Sequence, residues 1–279
     1  MHHTSSEIGG SPADSFGGAL ESATIPTPHM NFPPAHELRS PSLQKRTTST
    51  LPAHELKLLV DEATAEKIED ALRPQLVVDP HAGSSPCGYS LTTLYCDTPD
   101  RSVYLRRGRH RLFKFRLRRY DEGGEVFLER KSKQGLRVRK RRYTIPLTEL
   151  DRFSTAARDA SWSADWYHRQ LHRNTLQPVC VLRYDRKAFF ITSGEEAIRL
   201  TFDRNIQGAL TNTWTLQLPE NAVPLLKNQV VCEFKYRGEL PTFIKRLLES
   251  LQLTPRGVSK FRHCIEAHLE TAQDSTSHV

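Results

Sequence analysis

Between residues 101 and 142 the chain carries 17 Lys or Arg against 4 Asp or Glu, although the net charge of all 279 residues is only +8. The rest of the protein is therefore net acidic, and the positive charge is concentrated in one segment. Its spacing constrains the fold more than its amount. A strand sends successive side chains to opposite faces. Lys114, Arg116 and Arg118 share one parity, and Phe113, Phe115 and Leu117 share the other. After Gly123 and Gly124, Glu129, Lys131 and Lys133 fall together, opposite Val126 and Leu128. Beyond Gln134 and Gly135, Lys140 and Arg142 alternate with Arg139 and Arg141. Residues 89–145 thus read as a β-meander with turn residues where hairpins need them.

Cations directly opposite one another on a sheet repel unless an anion lies between them. A sheet curled around a polyphosphate-like ligand removes the conflict. Nucleic acid is the rival polyanion, but proteins that track single strands place aromatic rings among the cations for base stacking. Here Phe113 and Phe115 fall on the face opposite Arg116.

The remaining chain supplies the wall of such a structure. Residues 1–50, rich in Ser, Thr, Pro, Gly and His, read as a disordered tail. Within it Pro34 to Arg39 echoes Pro52 to Lys57, and only the second copy runs on into apolar Leu58, Leu59 and Val60 as a strand. Asp61 reads as an N-cap, with Ile68, Ala71 and Leu72 at helical spacing until Pro74. A linker follows over residues 79–88. Residues 146–157 and 160–176 read as helices, the second with His168 and His172 at i, i+4, half of a metal site. Strands are expected at 179–191, 197–206, 213–218 and 229–237. Pro241 opens a helix with Phe243, Leu247 and Leu251 on one side, and Ser259 and Lys260 open a last one carrying Phe261, Ile265 and Leu269. The expected fold is α+β: an antiparallel β-barrel tunnel of about eight strands with flanking helices, over residues 51–270, followed by a polar tail at 271–279.

No run approaches the roughly 20 apolar residues that span a bilayer, and the N-terminus shows no secretory signal. Five cysteines (87, 96, 180, 232, 264), odd in number and without CxxC spacing, point to free thiols in a reducing cytoplasm.

Several ordered motifs resemble the VTC domain, the polyphosphate polymerase branch of the triphosphate tunnel metalloenzymes. They are Tyr95-Cys-Asp97 followed by Tyr104, Lys114-Phe-Arg-Leu-Arg118, Phe127-Leu-Glu-Arg-Lys131, Lys140-Arg-Arg-Tyr143, Tyr184-Asp-Arg186, Arg199-Leu-Thr-Phe-Asp203, Glu233-Phe-Lys235 and Ser259-Lys260-Phe261. The resemblance implies a tunnel that binds ATP and inorganic polyphosphate or pyrophosphate with Mn²⁺ or Mg²⁺, and transfers the γ-phosphate of ATP to a growing chain. It implies Arg116, Arg118, Lys131, Lys140, Arg186, Arg199 and Lys260 as catalytic phosphate ligands. Lys57, Arg142, Tyr184 and Ser259 would add substrate contacts, and Glu233 would hold the metal. The family often has a lysine where this chain has Gly257, with Arg256 beside it. A membrane partner that receives the product is compatible with the resemblance, and nucleic acid is not an expected partner.

Phosphoryl transfer relies mainly on positioning and charge stabilisation, for which arginine forks and mobile lysines suit phosphate oxygens. The alternatives are a tripolyphosphatase or nucleoside triphosphatase on the same barrel, or a polyphosphate-binding module without catalysis. Hydrolytic relatives present several paired glutamates. Here only Glu55, Glu129 and Glu233 stand out as inward acids, and Ala53-x-Glu55-x-Lys57 is an incomplete E-x-E-x-K pattern. A surplus of fixed cations favours retaining a long polyanion. Tripolyphosphate should therefore bind more tightly than single-stranded or duplex DNA at physiological salt in a competition assay; the reverse order would overturn the tunnel reading.

Overall fold

The computed structural model describes residues 53–80, 88–134, 137–193 and 196–276. The expected tail at 1–50 and the turn at Gln134-Gly135 lie wholly or partly outside them. One antiparallel sheet dominates. Its strands are β1 (Ala53–Val60), β2 (Leu76–Val78), β3 (Tyr89–Asp97), β4 (Phe113–Tyr120), β5 (Glu125–Gln134), β6 (Arg137–Pro146), β7 (Gln177–Ser193), β8 (Glu196–Leu210), β9 (Val223–Pro224) and β10 (Val230–Arg237). They run in the order β1-β10-β8-β7-β3-β4-β5-β6, with β2 added to β7 and β9 to β8.

Among the described residues no ladder joins β6 to β1, so the tunnel wall has a seam in its hydrogen bonding. Side chains reach across it: Lys131 Nζ of β5 lies 3.7 Å from Glu55 Oε2 of β1. The sheet is therefore curled nearly into a cylinder without closing as a barrel.

Alternation along the strands explains the curl. On β1, Leu58 and Val60 face outward and, with Cys232, Phe234, Leu200 and Phe202, pack against α1 (Glu62–Leu72) and α3 (Thr242–Ser250). Asp61 caps α1 by accepting from Thr64 N at 2.7 Å, and the helix buries Ala65, Ile68 and Leu72. Phe115, Leu117, Val126, Leu128 and Ile145 form a second outward core with Phe153, Tyr167 and Leu171, the last two on α2 (Asp165–Arg173). Each fully buried Leu, Ile or Phe here contributes about 1.5–3 kcal/mol. These two clusters lie outside the sheet, which frees the inner face of β4, β5 and β6 for charge. Helix α4 (Lys260–Thr276) packs on β7 and β8, with Phe261, Cys264 and Ile265 buried.

Several expected elements differ. Residues 147–154 form a 3₁₀ segment, not an α-helix, and α2 begins only at Asp165. Asp159 explains the delay, since its carboxylate accepts from Ser161 N at 2.9 Å and holds a turn in place of helix. The strand expected at 213–218 is absent, because Thr211 and Thr215 hydroxyls accept from Thr213 N and Gln217 N and fold the segment into local turns. Residues 101–107 form turns, as the Asp97 carboxylate gathers Val103 N and Tyr104 N at 2.7 and 2.9 Å. Helix α4 continues to Thr276, past the start of the expected tail. No helix among the described residues is long and apolar enough to cross a membrane.

Gly208 on β8 lets α4 approach closely: a Cβ there would stand 2.6 Å from Leu182 Cδ2 and 2.8 Å from Cys264 Sγ. Gly208→Ala should therefore lower stability by about 1–3 kcal/mol in urea unfolding; an unchanged midpoint would contradict this close packing.

Candidate functional site

The inner face is set by strand parity, with one correction that a β-bulge imposes. On β4, β5 and β6, ladder partners place Lys114 beside Lys131 and Lys131 beside Lys140, and place Arg116 beside Glu129 and Glu129 beside Arg142. On β3, Tyr95 and Thr93 pair with Arg116 and Arg118. On β8, Gly208 and Asp203 both face inward although they are five residues apart. Between Arg183 and Asp185 of β7, β8 spends three residues on two, with Asn205 at φ +50°. The bulge turns Asp203 toward Arg186, its ladder partner. Beyond it β8 resumes strict alternation, so Thr201 and Arg199 share the face of Asp203.

Four carboxylates then organise the inward cations. Glu129, 2% exposed, receives Arg116 Nε at 2.6 Å, Lys140 Nζ at 2.8 Å and Arg142 Nη2 at 2.7 Å. Burial alone would raise its pKa, but Arg116, Arg118 and Lys140 outweigh that and hold the carboxyl far below its usual range. Asp203 takes Arg186 at 2.6 and 2.7 Å and Lys260 Nζ at 2.6 Å. Its pKa is lowered in the same way, by Arg186 and Lys260 against the effect of burial. Glu233 lies between Lys57 at 3.4 Å and Lys235 at 2.5 Å, and Glu55 meets Lys57 at 2.5 Å. Burial opposes ionisation of Glu55, yet Lys57, Lys131 and Lys235 bring its pKa down to about 2. On the wall beside β2, Arg199 pairs with Asp79 at 2.8 Å.

Two inward cations of the sheet strands have no carboxylate within ion-pair distance among the described residues. Arg118 is buried and donates to Thr93 Oγ1 at 3.2 Å and to the Tyr184 hydroxyl at 3.0 Å. Lys114, open to the lumen, has its pKa lowered to about 8, first by loss of water and then by Lys57, Arg106, Lys131 and Arg116.

The lumen has two cavities. Arg116, Arg118, Lys140, Arg142, Arg186 and Arg199 all line one of about 550 Å³, together with Lys235 and Tyr89. Lys57 and Ser259 line another of about 560 Å³ at the end closed by the N-terminus of α4, with Lys114 and Arg256. The two lie on one inner face, since Lys114 and Arg116 are consecutive inward residues of β4. Lys260 sits 4.7 Å from the Tyr184 ring centre and reaches Asp203, while Lys131 stands at the seam. All the expected site residues except Ser259 and Lys260, which belong to the α4 end, thus stand on the inward face of the sheet.

Sequence reasoning missed Asp79, Asp203 and Lys235 and left Lys114 without a role. Lys114 and Lys235 had the right parity. Asp203 shares the parity of Arg199 on an unbroken stretch of β8, and Asp79 sits in a segment with no strand pattern.

A divalent ion fits Glu233 in a particular way. Its Oε1 is buried without an aligned hydrogen bond, although Lys235 Nζ is 2.5 Å away. No three His, Cys, Asp or Glu side chains among the described residues form a metal cage. Mg²⁺ is commonly held by one or two carboxylates plus substrate phosphates and water, and Glu233 with Glu55 nearby suits that mode. His168 and His172 instead contact each other through Nε2 at 2.8 Å on α2, outside the lumen, with His168 also on Thr155 O.

The sequence matches the family profile described as VTC domain over residues 52–269. No curated protein matches it. Among solved structures, a proposed adenylate cyclase from Bacillus halodurans is 13% identical, with 75% of this chain and 94% of that chain covered and a TM-score of 0.43. A proposed adenylyl cyclase from Hippeastrum, described as having a dominant triphosphatase activity, is 14% identical, with 74% and 92% covered and a TM-score of 0.40. The PH1819 protein of Pyrococcus horikoshii is 13% identical, with 77% and 99% covered and a TM-score of 0.38.

Lys114 loses its charge as pH rises through about 8, so polyanion affinity should fall over that interval. Tripolyphosphate titrations from pH 7 to 9 should show this fall, and Lys114→Arg should flatten it; the same slope in both proteins would exclude Lys114 as the source.

Proposed function

Since the chain belongs to the VTC domain family, and is a triphosphate tunnel protein in fold, we propose that it is a polyphosphate polymerase that uses ATP. The observation that carries this reading is the charge balance of the lumen. Glu55, Glu129, Asp203 and Glu233 are each already held by at least two cations, and Arg118 and Lys114 of the sheet are left over for a ligand. A hydrolase needs several carboxylates to order metal and an attacking water, whereas one carboxylate beside the substrate phosphates is enough to hold a charge-neutralising ion. A polymerase needs cations along a path long enough to keep the product.

In this reading Arg116, Arg118, Lys140 and Arg142 hold the triphosphate in the first cavity, with Arg186, Arg199 and Lys131 on the surrounding wall. Tyr184 orients Arg118 through their hydrogen bond. Lys260 and Ser259, with Lys57, carry the phosphate path into the second cavity, where Arg256 stands beside Gly257. Glu233 would hold Mg²⁺ or Mn²⁺, which neutralises phosphate charge when bound. A terminal phosphate oxygen of the acceptor chain attacks the γ-phosphorus, and the bond from that phosphorus to the β,γ-bridging oxygen breaks. ADP leaves and the chain is longer by one phosphate. The attacking oxygen is already ionised near neutral pH, so no protein base is required. The fixed guanidinium groups stabilise the charge spread over the transferring group. A cytoplasmic location, where ATP is at hand, and a membrane partner that takes up the product both fit the same scheme.

Purified protein with ATP and Mn²⁺ should yield an acid-labile ladder of chains on a gel; free phosphate alone would identify a triphosphatase. Arg118→Ala should slow chain synthesis by about 100-fold, the scale expected for one preorganised donor, with an unchanged circular dichroism spectrum. Undiminished turnover would remove Arg118 from the assignment.

A further inference from the structure

The outer surface of β5 and β6 holds donors that lack acceptors. Arg130 and Arg141 are ladder partners there, and among the described residues the side-chain contacts of both are with rings. Arg141 lies 3.8 Å from the centre of Trp166 and Arg130 lies 5.7 Å from that of Phe115. Arg130 Nε and Trp166 Nε1 are buried without a hydrogen-bond partner, and so is His110 Nε2. His110 belongs to the same patch, edge-on to Phe113, which in turn packs edge-on against Phe115. The nearby acids are engaged elsewhere: Asp165 with Arg158 and Arg169, and Glu149 with Trp162. Buried donors are rarely left unpaired, so their gathering at one cationic place calls for an anion.

We propose that this patch is an outer anchoring site for phosphate groups of a polyphosphate chain, separate from the lumen and resting on the reading of the lumen given above. The ligand class follows from the position of β6. It is the last strand of the sheet, with Lys140 and Arg142 facing inward and Arg139 and Arg141 facing out. A strand is about 4.8 Å wide in the sheet direction, so a phosphate chain crossing this free edge passes from one cation row to the other without leaving positive potential. Nucleic acid fits less well, since a stacking platform needs an open ring face and Arg141 covers that of Trp166.

The test compares long-chain polyphosphate with tripolyphosphate on the full chain. The Arg130→Gln/Arg141→Gln double variant should lose about tenfold in affinity for the long chain, with a shallower salt dependence because fewer phosphates are neutralised. Tripolyphosphate, too short to span lumen and edge together, should bind both proteins equally. Arg139→Glu, at an exposed position, should weaken long-chain binding in the same direction even if the double variant fails to fold. Long-chain binding should also change tryptophan emission, and Trp166→Phe should remove that change. Equal long-chain affinity in Arg139→Glu and the parent protein would overturn the proposal, as would equal loss for both ligands. So would tighter binding of single-stranded DNA or phosphatidylserine vesicles than of polyphosphate. If the parent protein binds the long chain through this patch yet makes no chain from ATP, the polymerase reading fails and the anchoring site stands.

Discussion

The structure depends on keeping many like charges close together inside a curled sheet. In water such a row would repel itself apart, and in a dry core it would be untenable. Glu129 resolves the conflict for the meander, because one buried carboxylate binds Arg116, Lys140 and Arg142 at once. Asp203 does the same for Arg186 and Lys260 on the opposite wall. These carboxylates neutralise only part of the charge. The remainder is what a phosphate ligand would meet on the proposed reading, and it is tolerable because the lumen stays open to water.

The apolar elements serve this arrangement from outside. Alternation along each strand sends Phe115, Leu117 and Leu128 to one shell of helix and Leu58, Cys232 and Phe234 to another. The sheet is thus held in its curve by packing on its convex side, and on its inner face apolar packing is found at the α4 end, where Phe261 and Cys264 meet Tyr95 and Leu182. Helix α4 then contributes Lys260 from beyond the sheet, at a position that only its close approach over Gly208 allows. The seam between β6 and β1 is bridged by Lys131 and Glu55 in place of backbone bonds, so electrostatics completes what the ladder leaves open.

Much of this could be read in the chain because period-two alternation is explicit from Lys114 to Arg142. The inward placement of Arg116, Arg118, Lys131, Lys140 and Arg142 follows from counting alone. What escaped has identifiable causes. Asp203 stands on the face of Arg199, but its partners Arg186 and Lys260 come from β7 and α4, which alternation along β8 does not reveal. Asp79 reaches Arg199 across 120 residues of sequence, a separation no local pattern reports. Side-chain turns at Thr211 and Thr215 dissolve a strand whose composition was acceptable, and Asp159 shortens a helix for the same reason. In these last two cases polar side chains compete successfully with regular backbone hydrogen bonding.

The measurement that bears most directly on this account is an experimental structure of the protein with tripolyphosphate bound. The account predicts phosphates inside the sheet, with oxygens on Arg118 and its neighbours Arg116 and Arg142, and with Glu129 still holding its cations. Phosphates found only on the outer surface, with Arg118 still turned to Thr93 and Tyr184 and an empty lumen, would contradict it.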